Sequence, residues 1–138
     1  MRHLIGLILL GVLSCGPRDM PTCPDTGPCP LEPHEGLRTL NRDNWDREVL
    51  QNPRPTLVVF SASWCRACRV YAPVVEQLAG EVGDRATVGK VDADADQDLV
   101  RQYRVQALPT TLVFKRGQVI HRLVGVQSKA ALQKMLGP

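Results

Sequence analysis

The chain has 138 residues, of which 43% are hydrophobic and 22% are charged, as is typical of a globular protein with room for one domain. Its formal net charge is only +3, and its lysines and arginines are scattered along the chain. A charge this small and dispersed excludes a protein that binds nucleic acid.

The first residues have the composition of an export signal. Residues 1–3 carry a positive charge, and residues 4–13 are aliphatic residues and glycine. A ten-residue helix rises only about 15 Å, half of a bilayer's hydrocarbon core, so we expect residues 1–14 to be a signal peptide. The run ends in Val12-Leu13-Ser14-Cys15-Gly16, which resembles the lipobox of bacterial lipoproteins and implies a lipid anchor on Cys15. An ordinary secretion signal is the alternative.

Residues 15–36 are predicted to form a tether between this anchor and the following domain. They are dense in proline, which fixes φ and removes a backbone donor, so neither a helix nor a central strand is expected. The tether contains Cys23 and Cys29. This pair is either a small disulfide loop, as an exported protein allows, or an accessory redox pair that exchanges with the main one.

From residue 37 onward the hydrophobic pattern becomes periodic. The predicted elements, in chain order, are a strand at 37–40, a helix capped by Asn41 or Asp43 and ending near residue 51, a strand at 56–60, a helix at 65–82, a strand at 86–92, a helix at 96–103 capped by Asp94 or Asp96, strands at 110–114 and 118–124 joined by a tight turn, and a helix capped by Ser128. Alternation of strands and helices implies parallel pairing, and the closing hairpin adds antiparallel strands. The sequence therefore predicts an α/β fold with a mixed central sheet of four to five strands and helices on both faces.

Two cysteines stand where the buried strand at 56–60 passes into a helix. In Cys65-Arg66-Ala67-Cys68, the first thiol faces the unpaired N–H groups and the positive end of the helix dipole, which stabilise a thiolate. The second lies three residues on, on the same side of the helix and within reach of a disulfide. We therefore expect Cys65 to be an exposed nucleophile and Cys68 a more buried resolving thiol.

Other interpretations of this pair are a zinc site shared with Cys23 and Cys29, a purely structural disulfide, a metallochaperone that binds Cu(I) through its thiolates, and an interaction domain that does no chemistry.

Three motifs resemble the thioredoxin family over residues 37–138. They are Trp64-Cys65-Arg66-Ala67-Cys68, Pro73 eight residues after the first cysteine, and Ala107-Leu108-Pro109-Thr110. The resemblance implies the thioredoxin fold, thiol–disulfide oxidoreductase activity, and a cis peptide bond before Pro109 in a loop packed against the cysteines. It also implies a substrate-binding surface formed by Trp64, Arg66, Ala67, Leu108, Pro109 and Gly125, with Lys90 as a possible accessory residue.

The implied partners are proteins that carry disulfides or dithiols, together with a redox donor or acceptor. We expect a monomer with no cofactor and no metal. With the export signal, the resemblance predicts a periplasm-facing, membrane-anchored enzyme that exchanges disulfides in cell-envelope proteins.

The sequence departs from the thioredoxin pattern at two places close to the cysteine pair. Arg66-Ala67 stands where the family usually has Gly-Pro. Val59 stands where the family usually has a buried aspartate that assists proton transfer to the second cysteine. With no carboxylate at position 59, the proton of Cys68 has to leave by another route. We therefore expect mixed disulfides to be resolved more slowly than in a standard thioredoxin.

Overall fold

The computed structural model describes residues 36–137. It contains strands β1 (Arg38–Leu40), β2 (Thr56–Ser61), β3 (Thr87–Asp92), β4 (Thr110–Lys115) and β5 (Gln118–Val124), and helices α1 (Arg66–Val82), α2 (Gln97–Gln102) and α3 (Lys129–Leu136). Two short helical segments, Asp46–Leu50 and Gly83–Arg85, lie between them. The predicted signal peptide, Cys15, Cys23 and Cys29 lie outside the described residues.

The five strands form one mixed sheet in the order β1-β3-β2-β4-β5. β1 and β2 both run parallel to β3, whereas β4 is antiparallel to β2 and β5 is antiparallel to β4. The predicted mixed α/β sheet is confirmed, with five strands. β2 is central, and residues 56–60 are all buried, which explains its continuous apolar sequence.

The sheet separates two hydrophobic cores because successive residues of a strand point to opposite faces. Leu57 and Val59 of β2 pack with α1 and α3 on one face. Val58 and Phe60 pack on the other face with α2 and the Asp46–Leu50 segment. Helices therefore cover both faces of the sheet, as predicted.

The helix expected to begin at Asn41 or Asp43 is much shorter than predicted. The oxygen of the Asn41 side chain accepts hydrogen bonds from the backbone N–H groups of Asp43 and Asn44. These contacts form a turn, and helical structure is confined to Asp46–Leu50, which winds as a π-helix. A side chain that bonds the backbone two and three residues on stabilises a turn in place of a longer helix.

The predicted cap of α2 is correct in position but not in its hydrogen bonding. Asp96 occupies the position before the helix but makes no capping hydrogen bond. Its carboxylate accepts instead from the backbone N–H of Arg42, 54 residues earlier in the chain. The carboxylate of Asp94 accepts from the indole of Trp64. Ser128, in contrast, caps α3 as predicted, since its hydroxyl accepts the N–H of Ala131.

Candidate active site

The cysteine pair lies at the N-terminus of α1, four residues beyond the end of β2. Cys65 is the residue that precedes the helix, and its backbone is extended. Its N–H donates to the carbonyl of Ala62 at 3.1 Å, and its Sγ accepts the backbone N–H of Cys68 at 3.1 Å. The sulfur of Cys65 therefore takes the place of a capping oxygen at the positive end of a 17-residue helix.

Cys65 and Cys68 are joined by a disulfide bond, with 5.2 Å between their Cα atoms. Both residues are 6% exposed, so the expectation that Cys65 would be the more exposed of the two is wrong. The capping contact holds the Cys65 sulfur against the helix terminus. Ala62, the two cysteines and Leu108 form a small apolar cluster, which covers both sulfurs in this oxidised form.

The loop before β4 packs against this cluster. The Leu108–Pro109 peptide bond is cis, as the resemblance implied, and Leu108 contacts the cluster that holds the disulfide. The carbonyl of Pro109 accepts the N–H of Gly125 at 2.8 Å, so Gly125 is brought to the same loop.

Gly125 has a φ of +87°, and a Cβ built on it meets no atom within 4 Å. The space above Gly125 is therefore open, which leaves room for another chain to approach its backbone.

Trp64 is 67% exposed beside the pair, and its Nε1 donates to Asp94 Oδ2 at 2.9 Å. The bond fixes the edge of an indole that would otherwise be free to rotate. Arg66 and Ala67 are exposed in the first turn of α1. Trp64 directly precedes the first cysteine of the disulfide, and Arg66 and Ala67 lie between the two cysteines.

A row of three paired residues crosses the sheet on the face that carries α1. Val59 of β2 pairs with Lys90 of β3 on one side and with Thr111 of β4 on the other. Val59 is 4% exposed and belongs to the core beneath α1. Its side chain offers no proton acceptor, and polar groups flank it on both sides.

On the β4 side of this row, the hydroxyl of Tyr71 is 3.1 Å from Oγ1 of Thr111. Tyr71 is 1% exposed and Thr111 is fully buried. Burial raises the pKa of Tyr71, and the hydrogen bond with Thr111 opposes that rise without cancelling it. The phenol is therefore neutral at physiological pH. The sequence analysis assigned Tyr71 to the apolar face of the helix and missed this polar pair.

We expect Tyr71→Phe to lower the free energy of unfolding by about 1–3 kcal/mol, because it leaves the Thr111 hydroxyl buried without a partner. Thr111→Val combined with Tyr71→Phe should recover part of that loss. Urea unfolding of the four variants of this double-mutant cycle measures the coupling between the two hydroxyls. Purely additive losses in the two single variants would contradict the pairing of the hydroxyls.

The raised pKa of Tyr71 also predicts a pH dependence of stability. Because the tyrosine ionises at lower pH in the unfolded chain than in the folded one, the wild type should lose stability above about pH 10 relative to Tyr71→Phe.

A cavity of about 40 Å³ lies beneath Cys68. Its lining residues come from β2, α1, β3 and the segment before β1: Leu37, Val59, Ser61, Cys68, Tyr71, Ala72, Val75, Glu76 and Lys90. Lys90, the possible accessory residue, is among the residues that line this cavity. Ser61 and Glu76 were not predicted, because a serine at a strand end and a glutamate on a helix surface are common in any sequence.

Within residues 36–137, no group of three or more histidine, cysteine, aspartate or glutamate side chains could hold a metal ion. In the same range, no helix is both long and apolar enough to cross a membrane.

Comparison with known proteins identifies the family. The family model described as Thioredoxin matches residues 36–137. The thioredoxin of Mycolicibacterium smegmatis is 42% identical over 96 residues, which cover 68% of this chain and 86% of the relative. A thioredoxin-like protein of Synechocystis is 39% identical over 93 residues, or 67% and 89% of the two chains. The thioredoxin of Acidithiobacillus ferridurans is 38% identical over 102 residues, or 74% and 94%. The chain belongs to the thioredoxin family and is a thiol–disulfide oxidoreductase with Cys65 and Cys68 at the positions of the redox pair.

Proposed function

We propose that this oxidoreductase is exported, held at a membrane by a lipid on Cys15, and exchanges disulfides in proteins of the cell envelope. The disulfide at the N-terminus of α1 is the observation that carries the chemistry. Export is supported by the short apolar run at residues 4–13 and by the resemblance of residues 12–16 to a lipobox. The proline-rich residues 15–36 would separate the anchor from the enzyme.

In the proposed mechanism, Cys65 attacks and Cys68 resolves. With both cysteines reduced, the Cys65 thiolate is stabilised by the helix terminus and by the N–H of Cys68. It attacks one sulfur of a substrate disulfide, which breaks that bond, forms a mixed disulfide and releases a substrate thiolate that takes up a proton. The Cys68 thiol then loses its proton and attacks the Cys65 sulfur.

That second attack re-forms the Cys65–Cys68 bond and releases the other substrate thiolate, which is also protonated. Two electrons thereby pass from the cysteine pair to the substrate, and the reverse sequence oxidises a substrate dithiol. The partner that supplies or removes electrons sets the direction.

The proposed substrate surface lies around the cysteine pair. Leu108 packs on the disulfide cluster and stays partly exposed, and the space above Gly125 is open. An extended segment that lies along the loop of Leu108 and Pro109 would place its own cysteine against Cys65. Trp64, Arg66 and Ala67 would contact the residues on either side of it.

The experiment that tests the proposal traps the substrates. A Cys68→Ser variant should accumulate mixed disulfides at Cys65 in cells that export the protein, because the resolving thiol is missing. The trapped proteins, identified by mass spectrometry, should be envelope proteins, and Cys65→Ser/Cys68→Ser is the control. Partners recovered mainly from the cytoplasm, or an unlipidated chain found free in the soluble fraction, would contradict the proposed location.

The tether cysteines need a separate comparison. A Cys23→Ser/Cys29→Ser variant with unchanged turnover toward the trapped partners would assign that pair to a structural loop. Slower turnover would assign it a redox role, helped by the millimolar-range effective concentration that a short tether provides.

A further inference from the structure

The cavity beneath Cys68 is large enough for water. Its volume of about 40 Å³ exceeds the roughly 10–15 Å³ that one water molecule needs. A water there would have polar side chains around it, because Ser61, Glu76 and Lys90 are among the residues that line the cavity. Cys68 is buried, whereas Glu76 and Lys90 are exposed, so the cavity connects a buried cysteine with residues that reach solvent.

The chemistry of these groups leaves one proton acceptor among the described residues that line the cavity. Val59 has no acceptor, and the hydroxyl of Tyr71 is hydrogen-bonded to Thr111. A serine hydroxyl is a weak base, and a lysine ammonium donates protons and accepts none. A carboxylate oxygen can accept a proton, and Glu76 carries the one carboxyl side chain among these lining residues. Glu76 lies eight residues after Cys68 on the same helix, close to two turns further along.

We infer that Glu76 accepts the proton of the Cys68 thiol through water held in this cavity, and that Lys90 stabilises the resulting thiolate by its positive charge. The inference rests on the proposed function, since it concerns the resolving step of the same reaction. Glu76, on the helix, would thus accept the proton that Val59, on the strand, cannot accept because it has no carboxylate.

The proton and electron count of this step is complete. The Cys68 S–H bond breaks, and its proton passes to the cavity water as that water gives a proton to the Glu76 carboxylate. The Cys68 thiolate attacks the Cys65 sulfur of the mixed disulfide, and the departing substrate thiolate takes up a proton from solvent. Glu76 then returns its proton to solvent, so the side chain is unchanged after each turnover.

The test separates the two steps with 5,5′-dithiobis(2-nitrobenzoic acid), a symmetrical disulfide that releases one coloured thiolate in each. The protein is the full chain with Cys15, Cys23 and Cys29 replaced by serine, reduced before mixing. In stopped flow, the first release reports attack by Cys65 and the second reports resolution by Cys68. Glu76→Gln should slow the second release by about tenfold to a hundredfold and leave the first unchanged.

The pH dependence of the second release gives a readout that a structural role would not change. It should move to higher pH in Glu76→Gln, because the thiol then has to ionise without its acceptor. The charged groups that face the cavity are Glu76 from α1 and Lys90 from β3. Glu81→Gln is the matched control, since Glu81 lies on the same helix but contacts Lys129 and Gln133. It should alter neither release.

An unchanged second release in Glu76→Gln would overturn the inference. An equal slowing of both releases would also overturn it, because that result describes a general effect of surface charge. These outcomes are distinct from failure of the proposed function, in which the wild-type protein itself gives no first release.

Discussion

Cys65→Ser is expected to reduce the rate of disulfide exchange by roughly 10³-fold or more, to the background of the reductant alone. A thiolate is the nucleophile in this chemistry, and a serine hydroxyl does not ionise enough to replace it. The measurement is the reduction of insulin by dithiothreitol, followed by turbidity with and without the protein. The position of Cys65 at the helix terminus supports this effect, because the N–H of Cys68 already points at its sulfur.

Cys68→Ser is the matched comparison for the roles of the two cysteines. It should still attack the substrate once but release product slowly, so that a mixed disulfide at Cys65 accumulates. The two cysteines have equal exposure in the oxidised form, so burial does not distinguish their roles. The kinetics of the two single variants distinguish them. If Cys65→Ser instead accumulated a mixed disulfide on Cys68, the proposed roles would be reversed.

Trp45→Ala is expected to lower the free energy of unfolding by about 3–5 kcal/mol. Trp45 is 2% exposed, and its ring centroid lies 5.2 Å from that of Tyr103 and 5.6 Å from that of Phe114. Its indole N–H donates to the hydroxyl of Tyr103 at 3.0 Å. The substitution therefore removes the centre of an aromatic cluster and leaves a cavity. Such a loss is a large part of the 5–15 kcal/mol by which typical domains are stable.

Urea unfolding followed by circular dichroism measures this loss without relying on the fluorescence of the tryptophan that is removed. Trp64→Ala is the matched control, because Trp64 is 67% exposed and lies beside the disulfide. It should change stability by no more than about 0.5 kcal/mol. If Trp45→Ala lowered the free energy of unfolding by no more than about 0.5 kcal/mol, like the control, the aromatic cluster would contribute little to stability.

The strands and the two long helices could be predicted because their signals are local. Residues 56–60 are continuously apolar, and β2 extends just one residue further, to Ser61. The apolar residues of 65–82 recur at helical spacing, and α1 covers Arg66–Val82 without a break. The tight turn before β5 is confirmed at Arg116 and Gly117, which both have positive φ, as the two central residues of a type I′ hairpin turn do.

The errors arose at polar side chains that can bond the backbone in more than one way. Asp96 was expected to cap α2, but it bonds the backbone of Arg42, which the parallel pairing of β1 with β3 brings close to it. Asn41 was expected to begin a helix, but its side chain closes a turn. Capping residues and turn residues are the same amino acids, so the sequence alone cannot distinguish the two uses.

Sequence by itself determined the chemistry of this protein: two cysteines three residues apart at the start of a helix, the Ala107-Leu108-Pro109-Thr110 motif further along, and a valine where a carboxylate would be expected. Each of these is a property of residue type and spacing. The tertiary structure decided which polar groups surround them. Tyr71 is hydrogen-bonded to Thr111, 40 residues later in the chain, and Trp64 to Asp94, 30 residues later. Glu76 and Lys90 line one cavity with Cys68. Such contacts depend on strand order and register, which place side chains from separate elements on one face of the sheet. A local sequence pattern therefore does not predict them.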